Sequence, residues 1–406
     1  MGTGTVYHSI GSADLGWNGT EAARQSRWGQ TSTVVGLFIA LSAAPGGSAS
    51  RTFTFRVNGG ATAVTCVVSG ASTTASDVTH TAALVADDLI CLQEVGANTP
   101  AASDCRIGVL FDHDSDDVSC FPLLAAAASA PRWLDPFNPV VWNLTEGNAV
   151  NIVGIAGAVT TFDIDLSAAP GVGNSRTYYL VKNGVNQDGG GGTPDTRIAI
   201  ADAATTGTWT GTVSCASGDT VYLESALAGD PAAATFRGYV LFTSSVPGRT
   251  FVAFSSTNSN LYDSVDTFVG CAETNNTTAG WETEANSDLV CPGALYSLGL
   301  VVHIEEGPGT GNSYLATVRR GGADTTAAVT LADAAVLATT NTVVALSAGD
   351  RFCLRVTPDS TPTVTGVHWA LGLSETNDDG GIGTGPGRPG YPAWQAGPTM
   401  VASSGG

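Results

Sequence analysis

The chain has 406 residues, 43% of them hydrophobic and only 13% charged, and a formal net charge of −20 at pH 7. Because phosphate backbones and anionic lipid surfaces are bound through clustered lysine and arginine, this charge excludes nucleic-acid and anionic-membrane partners. No apolar run approaches 18 residues and no basic, then apolar, leader begins the sequence, so we expect no membrane insertion and synthesis in the cytoplasm without a signal peptide.

An internal repeat organises the sequence. A turn aspartate recurs as Asp88, Asp219 and Asp350, 131 residues apart each time, and prolines 100, 231 and 362 keep the same spacing. This period is too long for a solenoid unit and matches a whole domain. We predict three tandem domains, residues 1–118, 119–247 and 248–377, followed by a Gly/Pro-rich tail, residues 378–406.

The elements of each copy follow one order. A Pro-Gly turn at Pro45, Pro170 or Pro308 precedes a strand that begins near residue 50, 175 or 313. A β-hairpin is then predicted around each turn aspartate, with strands 79–85 and 89–95 in the first copy, 208–216 and 220–225 in the second, and 341–346 and 351–356 in the third. Alternation in the second strand of each hairpin directs Ile90 and Leu92 and their equivalents toward a core. A last apolar strand closes each copy.

Many short strands are separated by Gly, Pro, Asn and Asp clusters, and helical patterns are nearly absent. These features predict an all-β fold of three tandem antiparallel β-sandwich domains. The length of each copy favours a jelly roll, with an immunoglobulin-like sandwich as the second choice. The tail cannot bury a core, so we expect it either to stay mobile or to lie along a partner, with Tyr391 and Trp394 as its anchors.

The eight cysteines do not form an evident disulfide framework. Cys105 and Cys215 stand where the other copies have apolar residues, which indicates core positions. We expect mostly free thiols, and Cys271 with Cys291 is the pair to test first for a disulfide.

Sequence motifs give little support to catalysis. No P-loop, nucleophile elbow or zinc-protease motif is present, and the five histidines have no equivalents between copies, so we predict no enzymatic activity and no organic cofactor. Asp112, Asp114 and Asp116 occupy the first, third and fifth positions of a calcium loop, but its glycine and distal glutamate are missing. We therefore weigh a Ca²⁺ site against a solvated linker between domains.

Aromatic residues supply the candidates for interaction. Trp17, Trp142 and Trp281 fall in the less regular opening part of each copy, where they act either as core or interface anchors or as platforms for sugar rings. Tyr222 is predicted to lie on the outer face of a sheet and to contact a neighbouring subunit. Matches to the glycosylation pattern are read as coincidence; they are Asn18-Gly19-Thr20, Asn143-Leu144-Thr145, Asn275-Asn276-Thr277 and Asn276-Thr277-Thr278.

The phrase Leu-Ser-Ala-Ala-Pro-Gly, followed by Ser-Arg-Thr-Phe or Ser-Arg-Thr-Tyr, then Ala-Thr-Thr and a Gly-Asp turn into Val-x-Leu, resembles repeats in structural virion proteins of tailed bacteriophages. The resemblance is to modules of tail-fibre, tail-tip or head-decoration type and covers roughly residues 30–111, 150–242 and 290–373. It provides no active-site residues to carry over.

The resemblance implies a structural virion protein, an appendage or surface component for assembly and host attachment. It further implies a homo-oligomer with a trimer favoured, contacts with other virion proteins and with a host-surface glycan, and a virion location that becomes extracellular after release. The alternatives are a carbohydrate-binding adhesin, whose loop tips or tryptophans engage glycan, and a glycan-degrading enzyme, which requires a close carboxylate pair.

Overall fold

The computed structural model describes residues 4–10, 17–103, 105–113, 118–127, 129–134, 136, 146–245, 249–269, 284, 289–291, 295–374 and 392–396. These residues form thirty strands in six sheets, and the strands pair antiparallel. Short 3₁₀ turns lie at Glu21–Ala23, Glu146–Ala149 and Gly190–Gly192. The all-β prediction is confirmed. Within the described residues, no helix has the length and apolar character needed to cross a membrane.

The six sheets pack as three sandwiches, called units 1, 2 and 3. Unit 1 contains β1 (Thr5–Ser9), β2 (Ser26–Arg27), β3 (Ser32–Leu41), β4 (Ser50–Val57), β5 (Gly60–Ser69), β6 (Thr74–Asp77), β7 (Ala82–Leu84), β8 (Leu89–Ala97) and β9 (Cys105–His113). Unit 2 contains β10 (Val118–Ala126), β11 (Arg132–Leu134), β12 (Asn151–Ile152), β13 (Gly157–Leu166), β14 (Gly171–Lys182), β15 (Val185–Asn186), β16 (Ile198–Asp202), β17 (Thr206–Cys215), β18 (Thr220–Ala228) and β19 (Thr235–Ser244). Unit 3 contains β20 (Arg249–Asn260), β21 (Thr267–Val269), β22 (Leu289–Val290), β23 (Leu295–Ile304), β24 (Gly309–Arg320), β25 (Ala323–Asp333), β26 (Leu337–Thr340), β27 (Val344–Leu346), β28 (Arg351–Asp359) and β29 (Gly366–Ser374). The last strand, β30 (Pro392–Ala396), pairs with β9 and so belongs to unit 1.

The strand order of unit 2 is that of a jelly roll. Its front sheet runs β10-β19-β13-β17, and its back sheet runs from β11 and β12 through β18 and β14 to β15 and β16. β11 and β12 together act as one interrupted strand, and so do β15 and β16, which leaves eight strands in the unit. Numbered 1 to 8 along the chain, the strands of the front sheet are in the order 1-8-3-6 and those of the back sheet in the order 2-7-4-5. Two Greek keys produce this pattern. Unit 3 repeats it with β20-β29-β23 continued by β26 and β27, and with β21 and β22 leading through β28 and β24 to β25.

Unit 1 has the same order only when β30 is its first strand. Its front sheet runs β30-β9-β3 and continues into β6 and β7, whereas its back sheet runs from β1 and β2 through β8 and β4 to β5. Residues 392–396 therefore lie along β9 of their own chain, with Pro392 opposite Asp112 and Ala396 opposite Gly108. Pro392 is the first residue of an edge strand, a position that tolerates a missing backbone donor.

Each unit buries an apolar core between its two sheets. The largest fully buried side chains include Trp28, Phe53 and Phe55 in unit 1, Phe162 and Tyr178 in unit 2, and Tyr314 and Trp369 in unit 3. The predicted core positions Ile90 and Leu92 are both 0% exposed. The alternation in that strand therefore identified the buried face.

The predicted hairpins around the turn aspartates are wrong. β7 pairs with β3 in the front sheet and β8 pairs with β4 in the back sheet, so the chain crosses between sheets at Asp88. Both flanking strands direct apolar side chains, Leu84 and Ile90, into the same core from opposite sides. The Asp88 carboxylate accepts a hydrogen bond from the Val85 backbone N–H at 2.8 Å. Asp219 and Asp350 accept the equivalent bonds, from Ala216 at 2.7 Å and Ser347 at 2.8 Å.

All seven cysteines in the described residues are buried. Cys66, Cys91 and Cys215 are free thiols, and burial raises the pKa of Cys66 to about 12 and that of Cys215 to about 11. At neutral pH these two side chains are therefore protonated and poor nucleophiles. Cys271 lies outside the described residues, so its disulfide with Cys291 stays a prediction.

A buried donor occupies the same position of the fourth strand in each unit. Arg51 donates to the Ala101 carbonyl at 2.7 Å, Arg176 to Ala232 at 2.9 Å, and the Tyr314 hydroxyl to Thr363 at 3.0 Å. In unit 1 the donor also pairs with Glu94 at 2.7 Å, and both side chains are fully buried. Val356 of unit 3 stands where unit 1 has Glu94. The third unit thus fixes the same loop without a buried charge.

Arg51→Tyr alone should destabilise unit 1 by about 3–5 kcal/mol, because Glu94 would remain buried without its counter-charge. Combining Arg51→Tyr with Glu94→Val, which transfers the residue pair of unit 3, should recover most of this loss. The measurement is the midpoint of denaturant unfolding. Arg197→Tyr, at an exposed ion pair, is the matched control and should change little. Equal losses in the single and double variants would contradict this account.

Candidate functional site

The three units contact one another in a closed cycle. β2 of unit 1 packs against β10 and β19 of unit 2, β12 of unit 2 against β20 and β29 of unit 3, and β22 of unit 3 against β3 and β9 of unit 1. In each case the second strand of one back sheet meets the front sheet of the next unit. β30 also contacts β10 and β20, which brings the three first strands together. A single chain therefore has the contact pattern of a cyclic trimer.

Equivalent residues stand at the centre of each interface. On the front sheet, strands 3 and 8 present a facing pair: Asp163 with Tyr239 in unit 2, Val301 with Ala370 in unit 3, and Phe38 with Gly108 in unit 1. The preceding unit places Arg27, Ile152 and Val290 at equivalent backbone positions of its second strand. The three interfaces thus share one geometry and differ in side-chain chemistry.

The interface between units 1 and 2 is ionic. The Arg27 guanidinium bonds to the carboxylate of Asp163, pairs with Asp87 at 2.8 Å and lies 6.0 Å from the centre of the Tyr239 ring. The Thr208 hydroxyl donates to the second oxygen of Asp163 at 2.5 Å. Burial raises the pKa of Asp163, an effect that Thr208 and Arg27 oppose. Arg27 is therefore the counter-charge of a carboxylate buried inside the interface.

Close backbone approach adds to this contact. Tyr239 packs into the core of unit 1, and a Cβ on Gly29 would lie 2.2 Å from its ring. The Gly29 N–H donates to the Cys120 Sγ at 3.2 Å, and Arg237 donates to the Ala22 carbonyl at 2.6 Å. Glycine at position 29 thus leaves the space that the tyrosine ring occupies.

The interface between units 2 and 3 is apolar at its centre. Val301 and Ala370 of unit 3 join Ile152 and Val153 in the core of unit 2. A Cβ on Gly372 would lie 3.2 Å from the Ile155 side chain, which shows how closely the units approach. Packed apolar surface therefore holds these two units together.

A histidine pair lies beside this apolar contact, on the same face of the front sheet of unit 3. The rings of His303 and His368 are 6.0 Å apart, and His368 Nε2 is 3.9 Å from a Glu305 carboxylate oxygen. Burial and the neighbouring His368 lower the pKa of His303 to about 4. His303 is therefore uncharged at neutral pH.

The interface between units 3 and 1 also buries apolar side chains. Phe38 and Ala40 are 7% and 6% exposed, although they lie on the face of β3 turned away from the core of unit 1. β22 contacts β3 and β9, the two strands that carry this face. Gly108 stands opposite Phe38, as Ala370 stands opposite Val301, and a Cβ on Gly36 would lie 3.0 Å from the Phe38 ring.

A repeated glutamate was missed by the sequence analysis. Glu21, Glu146 and Glu284 lie five residues before β2, β12 and β22, respectively. Glu21 pairs with Arg56 at 2.7 Å, Glu284 with the equivalent Arg319 at 2.8 Å, and Glu146 accepts a hydrogen bond from Tyr222. Each glutamate thus ties the segment before the interface strand to the back sheet of the same unit.

A sequence signal for these glutamates does exist. Trp17-Asn18-Gly19-Thr20-Glu21 matches Trp142-Asn143-Leu144-Thr145-Glu146, and Trp281-Glu282-Thr283-Glu284 is a version one residue shorter. The first two glycosylation-pattern matches are therefore parts of a repeated sequence motif. In the first copy, the Asn18 side chain accepts a bond from the Thr20 N–H at 2.7 Å.

The structure brings few of the predicted site residues together. Trp17 is half-buried against the core of unit 1 and makes an edge contact with His8, at 5.3 Å between ring centres. Trp394 lies in β30 with its backbone opposite Leu110. The positions outside the described residues are Asp114, Asp116, Trp142, Trp281 and Tyr391.

Asp112 lies in β9 and is half-buried. Among the described residues, no three His, Cys, Asp or Glu side chains converge as a metal site would require. Since Asp114 and Asp116 lie outside that part of the chain, the calcium loop stays a prediction.

The prediction that Tyr222 contacts a neighbouring subunit requires correction. Its side chain is 1% exposed and packs with Ala149 and Val181, with Trp133 and Val150 beside them. The segment that carries Glu146 crosses this outer face and covers it. Strand alternation placed Tyr222 correctly outside the core, but it could not show that the same chain returns to cover that face.

Comparisons with known proteins give no family. No family model matches the chain, and no curated protein matches it. Among solved structures, the subviral particle of infectious bursal disease virus VP2 aligns over 92% of this chain and 77% of its own at 9% identity, with a TM-score of 0.18. The T13 particle of the same virus aligns over 97% and 78% at 9% identity, with a TM-score of 0.17. Values this low do not indicate a shared fold.

Gly29→Val should destabilise the protein by about 1–3 kcal/mol, because the new side chain would overlap the Tyr239 ring. Adding Tyr239→Ala, the residue that unit 3 has at this position, should recover part of the loss. Thermal unfolding is the measurement. Gly19→Val, where no atom lies within 4 Å of the added Cβ, is the matched control. A Gly29→Val midpoint equal to that of the control would refute the close approach of the two units.

Arg27→Met should destabilise the protein more at pH 7 than at pH 4. Without the guanidinium, the pKa of buried Asp163 rises further above its unfolded value of about 4. The folded state then holds more protons than the unfolded state, so stability falls as pH rises through the folded pKa. Unfolding midpoints from pH 4 to 7 test this, and Asp163→Asn in the same background should remove the additional pH dependence. A loss that is constant across this range would count against the pair.

Proposed function

We propose that this chain is a structural virion protein, an appendage or surface component, that serves as the single-chain counterpart of a trimer. The observation that carries the proposal is the closed cycle of contacts among three jelly rolls. The resemblance of its repeats to structural proteins of tailed phages also supports a virion role. Tail fibre, tail tip and capsid decoration are the locations to be distinguished.

The cycle provides what a structural component needs. Three similar lobes around one centre present three similar outward surfaces to other virion proteins, and interfaces of different chemistry fix the order of the lobes. With only 13% charged residues, the chain relies on packed surface and hydrogen bonds more than on ion pairs. We propose that the chain is not an enzyme.

The cycle also refines the expected oligomeric state. The contacts that a homotrimer of single jelly rolls would make between subunits are made here between units of one chain. We therefore propose a monomer of threefold shape in dilute solution in place of the homotrimer expected from the sequence. Further association would use surfaces outside these three interfaces.

A glycan-binding adhesin has less support. Trp28 and Trp369 are fully buried, and Trp17, Trp133 and Trp209 are partly buried, each with part of its side chain packed against a buried cluster. One cleft of about 420 Å³ in unit 3 is lined by Arg320, Asp324, Thr325 and small apolar residues, without an aromatic ring. Sugar recognition by stacking would need such a ring.

Light scattering with small-angle X-ray scattering tests the shape. We expect a mass of 41.0 kDa, a three-lobed envelope, and a radius of gyration near the ~22 Å of a compact chain of this length. A string of separate beads would have a clearly larger radius and would overturn the ring. A stable homotrimer in dilute solution would contradict the proposed monomer.

Mass spectrometry tests the virion role. Virus particles should be purified by density, after nuclease treatment, from the sample whose nucleic acid encodes this chain. Peptides of the chain should occur in these particles at a constant ratio to the major capsid protein. Their absence from the particles, together with saturable binding on a glycan array, would favour the adhesin.

A further inference from the structure

We propose that the edge of β9 that β30 covers also accepts β30 of a second copy of this chain, so that β30 links neighbouring rings. This inference rests on the proposed structural role in a particle. It concerns one surface, the backbone edge of β9 from Gly108 to Asp112, and one occupant, residues 392–396 of another copy.

The acceptor edge follows from the topology of unit 1. Units 2 and 3 obtain their first strands, β10 and β20, from the residues immediately before the rest of the unit. In unit 1 the same position is filled by β30, which lies more than two units away along the chain. The first unit is therefore completed by a strand whose covalent attachment is to unit 3.

An uncovered β9 would be unfavourable. β9 carries Ile107, Val109 and Phe111 into the core of unit 1, and its outer edge would present a row of unpaired N–H and C=O groups. Such an edge attracts any extended segment that can pair with it. The site therefore requires a strand, and its backbone does not distinguish β30 of its own chain from β30 of a neighbour.

The connection to β30 is much longer than closure of the ring demands. Residues 114–117 join β9 to β10, and residues 245–248 join β19 to β20, so four residues suffice to reach the first strand of the next unit. Between β29 and β30 lie seventeen residues, 375–391. Fully extended, seventeen residues span up to about 60 Å, which is enough to reach an adjacent ring.

The pairing of β30 is also the shortest of the three. β30 pairs with β9 over five residues, whereas β10 pairs with β19 over nine. Fewer ladder hydrogen bonds mean that β30 leaves its site more easily than β10 does. A short strand on a long connection is suited to exchange between copies.

Concentration decides which copy supplies the strand. Because β30 is tethered to the same chain, its effective concentration at the edge of β9 is on the order of millimolar. In dilute protein, β30 therefore pairs with β9 of its own chain. In an assembled particle neighbouring copies reach similar local concentrations, and exchange then competes with self-closure. The same strand would thus give monomers in solution and linked rings in the particle.

The test places a cysteine on each side of the β9–β30 pairing in the full chain. Leu110→Cys with Trp394→Cys puts the two thiols at directly opposed positions. After mild oxidation at about 10 μM, we expect a link within one chain; at about 1 mM, where intermolecular pairing competes with the tether, we expect a ladder of linked chains. Denaturing electrophoresis without reductant and intact mass separate the two products.

Controls make each outcome decisive. The single variants report links through native cysteines, and Leu110→Cys with Ser403→Cys, beyond β30, reports random encounter. Ala393→Pro in the double-cysteine chain should abolish the ladder, because proline inside the strand blocks pairing.

Links within one chain at both concentrations would overturn the exchange and leave the ring and its structural role intact. Absence of any link would show that β30 does not lie on β9. A ladder of equal yield in the Ser403→Cys control would likewise overturn the proposal.

Discussion

The structure depends on one constraint: a jelly roll covers the edge of its front sheet only when its first strand is in place. Units 2 and 3 meet this constraint with β10 and β20, and unit 1 meets it with β30. That strand comes from beyond unit 3, so completing unit 1 also ties the two ends of the described chain together. It adds a second link between units 1 and 3, beside the contact of β22 with β3 and β9.

The order of units around the ring follows from the chemistry of three equivalent interfaces. Arg27 meets Asp163, whereas its equivalent Ile152 meets Val301. Exchanging partners would set a guanidinium against an apolar side chain and leave Asp163 buried without a counter-charge, an arrangement costing several kcal/mol. Units of similar sequence can contact one another in the wrong order, and these mismatches disfavour the wrong order.

The sequence predicted the local chemistry better than the long-range pairing. The 131-residue spacing identified the repeats, and alternation identified Ile90 and Leu92 as core residues. The hairpins were wrong because the turn chemistry at Asp88 does not reveal which sheet each flanking strand joins. The interface escaped notice because Arg27 and Asp163 are far apart in sequence and have no equivalents of the same type. The glutamate repeat was hidden by spacings of 125 and 138 residues, which differ from the main period.

The position of β30 has a consequence for biosynthesis. β9 leaves the ribosome about 280 residues before β30, and at 5–20 residues per second the interval is on the order of 15–60 s. During that time units 2 and 3 can acquire all their strands, while unit 1 still lacks one. Any product that terminates early would expose the β9 edge to chaperones and proteases. Burial of the β9 edge by β30 thus requires that translation has passed through all three units.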